Sequence, residues 1–525
     1  MAEQVVSPAD TVKLIRPQAQ IGRAPTAVTA FVGRALKGPV NQPVALASFE
    51  DYQRIFGGLW QPSTLSYAIE QYFENGGREC IVVRVCNAGR APSLRLPAGA
   101  GFLRLAGQSP GTREFLRASV DYDGIAAHEP DRFNLVVQRI RAPGSEFIED
   151  QEIFRRLSIQ AGAERSVSEV LAESRLVRIA APLPAQRPDR SASAPPAAAV
   201  GYVASSADGD DGDVLTDYDI IGDSQAGTGL FALRAAEIFN FLCVPSLTRE
   251  LDVGVPVLLV ALRLCRERQA MLILDPPAAW ADATAAIDGL RNWPFFSEDA
   301  LMCYPRVLGF DRLRGRHEVF GSAATVAGQL ARSEQTRPVW SAAESDELLL
   351  RSGARPACQV IDLDRIRLAQ GGVNVLQSAR TAVRPRISLR TLLPEAGVRN
   401  DWRYVAARRF ALFVMSSLER GTRWVLFEHS GPPLWSRVRA QTIAFFRALE
   451  DDGAFVGRSA EDNYFVICDE RLNDHAHVSS GQFQLLFGFA SSRPGSFQTC
   501  LVTHQPAGSA VRVVSVNRYA LLPQN

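Results

Sequence analysis

Four stretches of the chain carry residue types that could do chemistry. His475-Ala476-His477 holds two imidazoles that could bind a metal from a strand. A metal needs three or four converging ligands, and both histidines follow Asn473-Asp474, a turn signal, which predicts a solvated loop. Asp208-Gly209-Asp210-Asp211-Gly212-Asp213 is dense in carboxylates. A calcium loop of the EF-hand type needs oxygen ligands at its first, third and fifth positions and glycine at the sixth. Here Gly212 falls fifth and Asp213 sixth, which leaves an acidic linker turn. Gly222-Asp223-Ser224-Gln225-Ala226-Gly227-Thr228-Gly229 could cradle phosphate before a helix, but it lacks the Gly-Lys-Ser/Thr ending of a P-loop. Asp275-Pro276-Pro277 would set a carboxylate at the end of a strand, where α/β sheets form binding crevices; its prolines more simply end the strand. No Gly-x-Ser-x-Gly elbow presents a nucleophile. Cys80, Cys86, Cys243, Cys265, Cys303, Cys358, Cys468 and Cys500 are widely spaced without a Cys-x-x-Cys, which predicts buried reduced thiols. No catalytic, cofactor-binding or metal-ligating residue is assigned, and no cofactor is expected.

The composition narrows the class. A chain of 525 residues exceeds one ordinary hydrophobic core, so two to four domains are expected. Hydrophobic residues make up 46% and charged residues 22%, as in soluble globular proteins. No apolar run approaches the roughly 18–20 residues that span a bilayer. The first residues lack a basic start followed by an apolar stretch, so no secretory leader is expected and the chain is placed in a cytoplasm or in a particle released by lysis. The balance of 57 basic and 56 acidic residues gives +1, which argues against a nucleic-acid binder. Lys13 and Lys37 are the only lysines. The arginine excess suits polar interfaces, and a GC-rich genome gives the same bias.

The elements that would position these residues form a mixed α/β, multi-domain chain. Residues 1–25 read as an extended arm, in which Thr11, Val12, Lys13, Leu14 and Ile15 alternate like a short strand that needs a sheet to join. Residues 26–87 and 214–345 read as one discontinuous α/β core. Within it, Ser48 caps a helix ended by Gly57-Gly58, and Ser63 or Thr64 starts a second, apolar at Leu65, Ala68, Ile69, Tyr72 and Phe73. Cys80 to Val85, Phe239 to Val244, Ala270 to Leu274 and Leu301 to Val307 read as strands, and Val257 to Arg268 as a helix. Residues 88–213 read as an inserted, mostly β domain, and 346–400 as an irregular linker. In 401–504 the pattern predicts a helix from an Asp401 cap to Leu418, a strand Trp424–Phe427, a helix Leu434–Leu449, and strands at Tyr464–Ile467 and Gln482–Phe489. Residues 505–525 read as a second arm, alternating through Val511, Val513, Val514 and Val516, with no local partner expected.

The densest run lies in the last third: Trp402-Arg403-Tyr404-Val405, Arg408-Arg409-Phe410, Glu419 through Glu428, and Leu434-Trp435-Ser436-Arg437-Val438-Arg439. This run resembles the C-terminal domain of contractile tail sheath proteins of phages and related injection machines. Thr29 to Gly33, Lys37 to Pro43, Tyr72 to Gly77, Phe239 to Pro245, Arg268 to Pro277 and Tyr304 to Val307 resemble the same family in the same order. Pro8-Ala9-Asp10-Thr11-Val12 and Gly372-Val373-Asn374 match its arm and Gly-Val-Asn segments only in part, and 88–213 is unmatched. The resemblance implies a structural subunit, not an enzyme. Such a subunit polymerises as stacked, helically arranged hexameric rings around an inner tube protein, meets baseplate and terminator or cap proteins, and contracts. It also implies that the arm strands join a neighbour's C-terminal sheet, here Tyr464, Val466, Phe483, Leu485 and Phe487, by β-augmentation. The alternative is an α/β enzyme binding a nucleotide at the 222–229 loop.

Overall fold

The computed structural model describes residues 20–191, 201–341, 349–350, 353–378, 388–395, 401–491 and 493–515. The chain divides into two compact units, Pro25–Arg408 and a second built from Arg409 onward with the residues before Pro25.

Short β-branched and aliphatic runs build the first unit, and such strands need cover on both faces. They are β1 (Thr29–Gly33), β2 (Val44–Leu46), β3 (Cys80–Arg84), β4 (Phe241–Cys243), β5 (Met271–Leu274), β6 (Ala300–Tyr304) and β7 (Val373–Val375). They form one sheet in the order β7-β6-β5-β4-β1-β3-β2, parallel throughout except for β2 against β3. Helices α1 (Phe49–Phe56) and α2 (Thr64–Glu74) follow β2, and α3 (Val255–Glu267) and α4 (Ala283–Arg291) cross between β4 and β6. Helices α5 (Ala323–Ser333) and α6 (Asp362–Gln370) precede β7. Ala261 of α3, Ala286 of α4 and Leu368 of α6 share one core with Ala30, Leu242 and Leu272. On the opposite face Tyr72 of α2 meets Phe31 edge-on, with ring centroids 5.5 Å apart. The caps follow the sequence: Ser48 Oγ accepts from Asp51 N at 3.1 Å, and Ser63 Oγ from Ser66 N at 3.3 Å.

The stretch expected to be irregular, 346–400, instead contributes α6 and β7, and β7 extends the core sheet parallel to β6. Its signal is weak because β7 has three residues and α6 exposes Leu363 and Ile366 beside its buried Leu368. Asn374 explains the Gly-Val-Asn segment. Its Nδ2 donates to Arg390 O at 2.7 Å and its Oδ1 accepts from Arg390 N at 2.8 Å, so one side chain stands in for a strand partner. Arg408 closes the unit: its guanidinium holds Asp299 Oδ1 at 2.8 and 2.6 Å, both side chains buried, and lies 4.0 Å from the Trp402 ring centre.

Between β3 and β4 lie two small antiparallel sheets. One holds Ser93–Ala98, Gly101–Gly107 and Val177–Ile179; the other holds Phe115–Asp121, Arg132–Ile140, Ile148–Ser158 and Val203–Ala204. Leu94, Leu105, Leu116, Phe133, Leu135 and Leu171 belong to their common core.

Candidate inter-subunit sheet

The second unit begins along α7 (Val405–Gly421), turns through a single 3-10 stretch at Arg423–Phe427, and continues into α8 (Pro432–Asp451). Four antiparallel strands follow: β8 (Tyr464–Ile467), β9 (Phe483–Phe489), β10 (Gln498–Gln505) and β11 (Gly508–Val513), in the order β8-β9-β10-β11. The expected strand at Trp424–Phe427 is therefore a turn. Phe427 is 91% exposed, while Trp424 lies under the Arg437 guanidinium at 4.5 Å, so neither alternates as a core strand would.

Alternation in β9 places Phe483, Leu485, Phe487 and Phe489 on one face, all buried. Phe446 of α8 fills that face, stacked on Tyr464 at 4.9 Å and 6.0 Å from Phe487. Phe410 of α7 meets Phe489 edge-on at 5.7 Å. Leu486, with Ile467 and Leu501, forms a small cluster on the reverse face. Of the residues expected in an acceptor sheet, Tyr464 and Val466 lie on an outermost strand. Phe483, Leu485 and Phe487 lie on β9, which pairs with β10 along its whole length and with β8 over Leu486–Phe489. Phe487 is flanked on both sides, by Val466 of β8 and Cys500 of β10, whereas Phe483 and Leu485 pair only with β10.

The C-terminal strand also departs from expectation. Val511 and Val513 lie on β11, which pairs with β10 from Cys500↔Val513 to Gln505↔Gly508, so this strand has a partner in its own chain. Val514 packs on the reverse-face cluster. Thr11, Val12, Lys13, Leu14, Ile15 and Val516 lie outside the described residues. Of the N-terminal arm, residues 20–24 belong to this unit: Ala24 N donates to Ser417 Oγ at 3.0 Å, and Arg23 pairs with Asp452. Ile21 is buried against Gly421, where an added Cβ would come within 2.6 Å of its Cγ2.

One buried polar group of this sheet had no signal in the sequence. His504 on β10 is fully buried, with Nε2 2.8 Å from Thr422 Oγ1 and Nδ1 2.7 Å from Ser509 Oγ. Burial, with the Arg423 guanidinium nearby, pushes its pKa down to about 4.

The other chemical candidates resolve into structure. In the glycine-rich loop, Asp223 Oδ1 accepts from Gln225 N at 2.7 Å and Ala226 N at 2.6 Å, and Asn41 Oδ1 accepts from Gly229 N at 2.9 Å. The amides that would cradle phosphate already hold oxygens of the chain itself. Asp208 accepts from Ser93 N at 2.9 Å and Ser93 Oγ at 2.6 Å, which lowers its pKa, and Asp211 binds Thr112 in the same way. Asp275 accepts from Ala323 N at 2.8 Å and so caps α5, while its burial raises its pKa. The crevice on the α2 and α5 side of the sheet, lined by Thr64, Ser246, Asp275 and Arg306, retains only about 30 Å³, room for a water or two. His475–Ser479 is a short helix and not the expected turn, with His477 Nδ1 2.7 Å from Asp474 Oδ1. Among the described residues no group of three or more His, Cys, Asp or Glu side chains is arranged to hold a metal, and no helix is long and apolar enough to cross a membrane.

No protein-family model matches the chain, and no curated protein matches it. Solved structures do. The sheath tail protein of Listeria innocua aligns with a TM-score of 0.57 at 11% identity, over 95% of this chain and 96% of that one. The sheath of an extracellular contractile injection system, the PVC sheath complex in its contracted state, aligns at 0.52 and 16% identity, over 94% and 97%. A chain of the anti-feeding prophage baseplate aligns at 0.51 and 15% identity, over 94% and 95%. Across nearly its whole length, this chain has the mixed α/β, multi-domain fold of contractile sheath proteins.

Proposed function

We propose that the protein is the structural subunit of a contractile sheath, polymerising as stacked helical rings around an inner tube and contracting to drive that tube through a target envelope. The near end-to-end likeness to sheath structures carries this reading, because it spans both compact units and leaves little of either chain unmatched. Its partners are other copies of itself in hexameric rings, a tube protein, a baseplate and a terminator or cap. Assembly takes place in a cytoplasm, and the particle is then released. The role is mechanical: a metastable extended lattice relaxes into one with more buried contact, and small gains per subunit add along the polymer.

In this reading β8 and β11, the outermost strands among the described residues, are where a neighbour's strand is added, since each leaves one side of its ladder open. Residues 11–15 supply one such strand. Val511, Val513 and the residues after them carry the other arm outward from the outermost strand of their own sheet. The competing enzyme reading, a nucleotide at 222–229, is disfavoured by the loop amides already held by Asp223 and Asn41.

Negative-stain electron microscopy of the purified protein tests the proposal. Hollow cylinders or rings are expected, and a monomer that persists under all assembly conditions would overturn it. Deleting residues 1–20 is expected to abolish polymers while leaving a folded monomer; normal cylinders from that variant would end the arm reading.

A further inference from the structure

Thr422 has one hydroxyl hydrogen, and it is committed: Oγ1, just past the end of α7, donates back to Leu418 O at 2.6 Å. The contact to His504 at 2.8 Å must therefore be donated by the ring Nε2–H. Neutral His504 then has a bare Nδ1, which accepts from Ser509 Oγ at 2.7 Å. Three groups form a single directed chain, from edge strand β11 through β10 to the end of α7. His504 and Ser509 are directly opposite in the β10–β11 ladder, and Phe483 of β9 lies along the ring at 6.3 Å.

A second proton would sit on Nδ1 in a fully buried ring. Among the described residues, the charge acting on that ring is the like-charged Arg423, and no countercharge faces it. β9 presents Phe483 and β11 presents Ser509, both uncharged. The α7 end presents Thr422 and then Arg423, whose guanidinium is like-charged and already held by Glu419 at 2.8 and 2.9 Å. A buried, unpaired imidazolium is costly, and the nearest way to hydrate it is to part the outermost strand from its neighbour.

We infer that His504 is a positioning residue that latches the C-terminal edge strand β11 to its sheet while neutral, and lets that strand open when it takes up a proton. The sign follows from its depressed pKa of about 4 against an ordinary 6.5. The open form binds the proton more readily, so opening is favoured progressively as pH falls from about 6.5 towards 4 and changes little beyond either limit.

Amide hydrogen exchange of the full chain, corrected for intrinsic rates, tests this whether or not cylinders form, so its outcome is separable from the sheath reading. Between pH 7 and 4.5, protection of the segment 508–513 is expected to fall by roughly 10- to 100-fold, while β9 holds its protection. In His504→Gln the same segment is expected to exchange with a flat pH profile. A flat profile in the unmodified protein, or an equal fall in the variant, overturns the latch. Should the variant not fold, the imidazole nitrogen signals of the unmodified chain decide: an Nε2–H tautomer that resists protonation until near pH 4 is expected. An Nδ1–H tautomer, or titration near the ordinary value, overturns the inference.

Discussion

The seven-stranded core sheet and the four-stranded C-terminal sheet handle polar groups in opposite ways. The core sheet β1–β7 is almost wholly parallel, with β1, β3 and β6 buried end to end, and its polar residues act as internal ties. Arg84 is the clearest case, fully buried and donating to Ala35 O, Gly38 O and Pro110 O at 3.0, 2.7 and 2.8 Å. The C-terminal sheet β8–β11 is a short antiparallel meander with an aromatic face packed on helices and an outer strand, β11, that exposes Val513, pairs along β10 and meets His504 through Ser509. Successive parallel strands of one chain need long crossovers, whereas antiparallel neighbours are joined by short turns. The first sheet is closed by buried ties, and the second leaves an outer strand at each flank among the described residues.

Three substitutions break or sharpen this contrast, from the largest effect down. Asp299→Ala strands the buried Arg408 guanidinium, and a loss on the order of 3–5 kcal/mol is expected in denaturant unfolding of the Pro25–Arg408 unit. A loss below about 1 kcal/mol would show the pair to be dispensable. Phe446→Ala empties the aromatic face of the C-terminal sheet and is expected to cost about 3–5 kcal/mol. Exchange should rise in Phe483–Phe489 and stay unchanged in Thr29–Gly33; an equal rise in both would contradict a local core. Ser63→Ala removes the α2 cap, and a midpoint shift worth about 1 kcal/mol is expected by thermal unfolding. No shift would place the stability of α2 entirely in its packing.

Where local chemistry decides local structure, the sequence was readable. The Ser48 and Ser63 caps, the β-branched run at Cys80–Arg84 and the alternation of Phe483 to Phe489 each carry their own signal. The Trp424–Phe427 run shows the limit. Its composition is that of a strand, but no sheet lies beside it and it closes as a turn. Arg408 and Arg409 stand side by side in a run with no signal for their depth, and both are buried, with burial pushing Arg409 down to about 9. The arm residues 11–15 were singled out by alternation alone and lie outside the described residues.

By itself the sequence determined the class of element at most positions, the absence of a recognisable catalytic motif and the likeness to sheath proteins, because caps, periodicity and turn residues act within a few neighbours. Only the tertiary structure decided which strands are interior and which outermost, that β7 completes the core sheet, and that the C-terminal strand begins paired within its own chain. It alone brought Thr422, His504 and Ser509 together. Contacts between residues up to 82 positions apart are fixed by the packing of whole elements, and no local run of residues encodes them.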